Sequence, residues 1–208
     1  MICLVIATPG FSYTILNGSG SGSGTGGDGG SAKAAAANPV ENLVIQGAIY
    51  YLQTCSDIQA ILKQVELQGF KAVDYTEMRR LVDEALDQVK SARLTYEVLL
   101  KTIAETPSNM VFIQGLQNFD YGTFMKENGL IEPIFKKVEY YLCRGDIGGL
   151  LAAIYVELKK IEGNLNLIKR FVDIERLPDL SVFWKLNETS AAALIFGSYA
   201  TRVFYAVN

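Results

Sequence analysis

Three stretches of this chain carry apolar residues in a strict alternation of four-residue and three-residue steps. Val44, Ala48, Tyr51, Cys55, Ile58, Leu62 and Val65 form the first stripe. Met78, Val82, Ala85, Val89, Ala92, Tyr96, Leu99 and Ile103 form the second. Ile147, Leu151, Ile154, Leu158, Ile161, Leu165, Ile168 and Val172 form the third. This rhythm places each set on one face of a helix, and no strand period accommodates it. A helix of 30 residues runs roughly 45 Å, and one apolar face per helix buries best against other helices. The stripes therefore predict an all-α protein, an antiparallel up-and-down bundle of four to five long helices with one column broken.

The punctuation agrees. Asn38, Pro39 and Glu41 read as a cap, a first helical residue and a capping box, with Gly69 as the stop. Asp74 and Glu77 form a second capping box, and Thr106 with Pro107 ends that helix. Asp146 caps the third long helix, and Leu177 with Pro178 is expected to end it. Five residues from Gly69 to Val73 make the first two helices antiparallel neighbours. Between Pro107 and Gly145 the rhythm fails. Gly115, Gly122 and Gly129 interrupt it, so short helices are expected near 108–118, 120–128 and 132–144, returning the chain to the other end as the broken column. From Ser190 to Val207 the only charge is Arg202. A helix apolar on all sides is central in a bundle, a contact face, or in lipid; eighteen residues with an arginine near the end fit the first reading better than a membrane span.

The first 37 residues are a separate segment, joined to a single bundle domain over 38–208. Ile2 to Ala7 is apolar, Thr8, Pro9 and Gly10 break it, and Gly18 to Gly24 alternates glycine with serine. Eight of the 19 glycines fall between 18 and 30, so this stretch reads as a flexible linker rather than core. Three readings fit residues 1–17: the remnant of an export signal with Val5 and Ala7 before a cleavage site, an ordinary native arm, or a peptide tethered by an engineered linker. Gly22, Gly24 and Gly27 match a dinucleotide-loop spacing, but a glycine-serine repeat does so by chance and no βαβ pattern follows. Lys33 lies between Ala32 and Ala34, so no phosphate loop is formed.

Composition narrows function. With no histidine among 208 residues, there is no Ser-His-Asp or Cys-His nucleophile, no His-ligated zinc or haem, and no Glu-x-x-His di-iron site. No metal or cofactor is expected. Nineteen basic residues against 22 acidic, for a net charge of −3, leave no footprint for nucleic acid. Cys3 would leave with a signal; Cys55 and Cys143 lie at bundle levels too far apart for a disulfide.

The expectation is a non-enzymatic interaction or scaffold protein, exported to the periplasm or outside, with the cytoplasm as the alternative. A protein partner or self-association is expected through Tyr50, Tyr140, Tyr199 and Tyr205, since tyrosine is enriched at interfaces. The irregular point around Asn118, Asp120 and Tyr121, together with Arg144 and Asp146, is the candidate binding region, because loops on a rigid scaffold carry function. Arg144, Gly145 and Asp146 also spell an adhesion tripeptide, though Gly145 as a helix end and Asp146 as a cap account for it. A small-molecule carrier or sensor with a pocket near this break is the second reading. An enzyme using Asp120, Arg144 and Asp146 is the third.

Overall fold

Among the described residues the chain forms four long helices and three short ones. The computed structural model describes residues 39–68, 73–106, 111–127 and 133–207. The helices are α1 (Pro39–Gln68), α2 (Tyr75–Glu105), α3 (Val111–Asn118), α4 (Tyr121–Glu127), α5 (Pro133–Leu142), α6 (Ile147–Val172) and α7 (Leu180–Val207). No strand occurs among the described residues. Expectations that rest on residues 1–38, Glu41, Gly69, Pro107 or Gly129 lie outside the described residues or side chains.

The stripes become the core. Seven of the eight stripe residues of α2 and all eight of α6 are buried. On α1 the buried line passes through Gly47 and Ile61 rather than Ala48 and Leu62, which are half-buried. Helix α1 packs on both α2 and α7, so its buried arc is broader than a two-helix seam and its centre shifts by one residue. Thr54 at the same face is fully buried, its hydroxyl donating to the Tyr50 carbonyl at 2.8 Å.

Side-chain pairs fix the directions. Tyr96, late in α2, lies against Gly47, early in α1. Arg79, Asp83 and Arg93 of α2 pair with Glu175, Lys169 and Glu162 respectively. Tyr51, Cys55 and Gln59 of α1 meet Gly197, Ser190 and Asn187 of α7. Each of these three helix pairs is therefore antiparallel. A Cβ on Gly197 would come within 2.7 Å of the Tyr51 ring, so the glycine is what lets that ring approach α7 so closely.

Because α2 lies directly along α6, the end of α2 and the start of α6 share one end of the molecule. The short helices thus do not run back as a broken column. They stay at that end: α3 and α5 contact α7, α4 contacts α5, and α5 contacts α6. Covering the last half of α7 explains its all-round apolar sequence. Up to Ser190 the buried residues are Phe183, Leu186 and Ser190, one face; beyond it Ala192, Ala193, Phe196, Gly197, Tyr199, Ala200, Val203 and Phe204 are buried over a wide arc.

Helix α6 ends at Val172, six residues before the expected stop at Pro178. The Glu175 N–H donates to Val172 O at 3.0 Å and the Arg176 N–H to Phe171 O at 3.0 Å, with Glu175 at φ = +54°. This left-handed cap satisfies the terminal carbonyls without glycine. Helix α5 ends the same way at Gly145 (φ = +63°), with Gly145 N–H to Leu142 O and Asp146 N–H to Tyr141 O, both 2.9 Å. Asp74 caps α2 as expected, accepting from Thr76 and Glu77 N–H; the Glu77 carboxylate is gripped by Arg80.

Candidate functional site

The covered end of the molecule gathers most of the residues singled out in the sequence. Asp120 caps α4, its carboxylate accepting from the Thr123 N–H at 3.0 Å. That cap turns the chain sharply after α3 and swings Tyr121 inward. The Tyr121 hydroxyl donates to Leu116 O at 2.9 Å, and its ring lies 3.4 Å from where a Cβ on Gly145 would stand. Gly145 thus serves twice, as the left-handed helix end and as the seat of the ring. Burial pushes the Tyr121 phenol above its ordinary range. Phe119 meets Tyr121 edge-on at 4.9 Å and Phe124 at 5.6 Å, and Phe124 meets Tyr199 of α7 at 6.3 Å. This aromatic chain extends the one core outward and binds the short helices to α7.

The structure brings Tyr121 together with the turn that carries Arg144 and Asp146, a proximity the sequence alone did not give, and each has a local task. Asp146 accepts from the Gly149 N–H at 2.7 Å and caps α6. Arg144 extends the other way, its guanidinium stacked 3.8 Å over the Tyr140 ring, and pairs with neither Asp120 nor Asp146. Asn118 is exposed at the end of α3.

The four tyrosines separate. Tyr140 is 57% exposed and Tyr205 61%. Tyr50 is half-buried, its hydroxyl accepting from Gln46 Nε2 at 3.4 Å. Tyr199 is only 8% exposed and belongs to the interior, because α3 and α5 cover that part of α7. Its phenol is raised by burial, with Arg202, 5.6 Å from the ring centre, opposing the shift.

Lys136, Lys137 and Tyr141, which sequence reasoning passed over, complete the exposed surface. Together with Tyr140 they line an open recess of about 240 Å³. Tyr141 meets Tyr140 edge-on at 5.5 Å and also reaches Gly149, where a Cβ would stand 2.8 Å away. The signal was present as spacing for the two lysines: Lys136 and Lys137 stand at −4 and −3 from Tyr140 on α5, and Arg144 follows in the turn beyond that helix. Cys55 is a free, buried thiol and Cys143 a free, exposed one. Among the described residues no group of acidic or cysteine side chains is arranged to hold a metal, and no helix is long and apolar enough to cross a membrane. Comparison with protein-family models, curated proteins and solved structures finds no match to this chain.

Proposed function

We propose that the chain is a non-enzymatic interaction module, an antiparallel up-and-down bundle of long helices that presents one end to a protein partner or a second copy. The observation that carries the reading is Tyr140, more than half exposed on α5 with Arg144 stacked on its ring. A large planar side chain held in place by a guanidinium loses little freedom on contact, and Tyr and Arg dominate interface energetics. Tyr205, exposed in the last turn of α7 at the same end, extends the candidate surface. Placing Asp120 and Asp146 as helix caps supports binding over catalysis, since both carboxylates already serve the scaffold. Export, with trimming inside residues 1–37, belongs to the same proposal, and the intact mass of the chain from its own cells tests it.

The test of the contact surface is a photo-crosslinking residue placed at Tyr140 and, in a parallel chain, at the exposed Gln53 on α1. A discrete adduct from position 140 that is absent from position 53 is expected. Equal adducts from both positions, or none, would sink the proposal.

A further inference from the structure

The buried residues of α7 fall into two seams. Phe183, Leu186, Ser190, Ala193, Gly197, Ala200 and Phe204 run the length of the helix in alternating steps of three and four. Gly197 and Ser190 set this first seam against Tyr51 and Cys55 of α1. The remaining four, Ala192, Phe196, Tyr199 and Val203, keep the same rhythm over about 17 Å and lie about 100° further around the helix. Traced back toward the start of α7, the line of this second seam passes through Thr189, half-buried, and Lys185, exposed. The second seam is therefore apolar and buried only toward the end of α7, where α3 and α5 lie on it. Phe124 of α4 meets Tyr199 of the seam edge-on at 6.3 Å. Gly115 lets α3 close on the last turn of α7: a Cβ there would stand 3.3 Å from Val207 O and 3.5 Å from Val207 Cβ.

We propose that α3, α4 and α5 form a displaceable cover, and that the second seam of α7 beneath it docks an amphipathic helix of a partner protein when the cover swings away. The proposal rests on the interaction reading above and adds to it a second face, apart from Tyr140. The seam has the period and the uncharged composition of a helix-docking face, and what lies on it now is itself helical. The cover is the weaker side of the contact. Its helices have 8, 7 and 10 residues, each too short to persist alone. The long helices do not depend on it: Arg79, Asp83 and Arg93 tie α2 to α6 through Glu175, Lys169 and Glu162. Helix α7 contacts α1 and α6 as well, and its first seam meets α1, so α7 stays docked when the cover leaves. Opening bares apolar surface, so the covered state dominates. The partner helix then binds with an affinity reduced by the fraction of open molecules, and the apolar face stays hidden until that helix replaces the cover.

The experiment locks the cover. The Cβ positions of residues 115 and 207 lie within disulfide reach. The G115C/V207C pair, in a full chain with Cys3 and Cys143 changed to serine, therefore holds the cover shut when oxidised and frees it when reduced. A display library of peptides of about 14 residues, four helical turns, with apolar residues at alternating steps of three and four, is panned against the reduced chain. Circular dichroism melts verify that each form folds. The selected peptides are expected to bind the oxidised chain about tenfold more weakly or worse. Tyr121→Phe tests the same point without a cross-link: by weakening the cover it raises the open fraction, so these peptides should bind it several-fold more tightly than the parent chain. Peptides that bind all of these chains equally dock elsewhere and overturn the proposal, as does a library that yields no binder. Anionic and zwitterionic lipid vesicles are titrated in parallel. Vesicle binding that oxidation abolishes, with no peptide binder, assigns the seam to lipid and overturns the partner helix. If the peptides fail while a photo-crosslinker at position 140 still gives its discrete adduct, the cover proposal falls and the interaction reading stands; failure of both removes both.

Discussion

Glu175 sits at φ = +54° at the end of α6. A side chain in left-handed backbone costs about 1–2 kcal/mol relative to glycine. What Glu175 contributes in return is a 3.4 Å pair with Arg79, and Glu175 is well exposed, so that pair is worth at most a few tenths of a kcal/mol. Glu175→Gly is therefore expected to stabilise the chain by about 1 kcal/mol, raising Tm by about 2–4 °C for a domain of this size; a lowered Tm would show that the pair outweighs the backbone. Two other glycines give opposite outcomes for one substitution. Gly163, mid-helix with nothing within 4 Å of a Cβ, should gain about 1 kcal/mol as alanine from helix propensity. Gly197→Ala drives a methyl into the Tyr51 ring and should cost about 1–3 kcal/mol. Urea melts of the two variants read this directly, and a stabilising Gly197→Ala would mean the ring is free to shift. These residues also mark where sequence reading stops. Pro178 is a visible helix breaker, but the real end of α6 lies at a glutamate, a residue type that announces no turn. Gly197 reads as one small residue among several, and only the ring opposite gives it a task.

At the scale of elements, length decides what was legible. Helices α2 and α6 repeat their stripe over about seven turns, and their burial follows the pattern almost residue for residue. Helices α3, α4 and α5 have 8, 7 and 10 residues, shorter than the roughly 12–15 at which an isolated helix becomes even marginal. Their extents could be read from glycines and prolines, but their placement could not. Whether such pieces run along a bundle or cover its end depends on α2 meeting α6 directly, a long-range contact that no local pattern encodes. The candidate site shares this fate: Asp120 and Asp146 were legible as caps, whereas the meeting of Tyr121 with Gly145 was not. Built from helices this short, and anchored among the described residues by Leu116, Tyr121, Val138 and Leu142, this end should open before the long helices do. Tyr121→Phe removes the bond to Leu116 O and strands a carbonyl, costing about 1–2 kcal/mol. Hydrogen exchange should then accelerate across residues 111–127 while α2 and α6 keep their protection. Uniform acceleration throughout the chain would show that the short helices open only with the whole fold.

The molecule as a whole has an unusual titration, because no histidine is present. Nothing among its side chains has an ordinary pKa between about 5 and 8, so stability should be flat there, with Tm varying by less than about 2 °C from pH 6 to 8. The alkaline side is different. Burial pushes the Cys55 thiol up to about 11, against a smaller opposing effect of its hydrogen bond to the Ser190 carbonyl. Burial likewise raises the Tyr96 phenol well above its ordinary value, with Tyr51 and Cys55 nearby adding to it. For both groups the folded chain retains a proton that the unfolded chain releases. Their contribution is fully present below the unfolded pKa and is lost as pH rises through the folded one. Between pH 9 and about 11 the thiol alone accounts for a loss on the order of 2–3 kcal/mol. The urea midpoint should therefore hold from pH 6 to 8, then fall steadily toward pH 10.5. Cys55→Ala lowers the plateau by leaving a small cavity, yet its midpoint should fall less steeply, the remaining slope coming from Tyr96. If both proteins lose stability in parallel above pH 9, Cys55 is not the buried acid between α1 and α7 that sets the alkaline limit, and the close approach of those two helices around Ser190 would need to be looser than 3.7 Å between Sγ and the carbonyl oxygen.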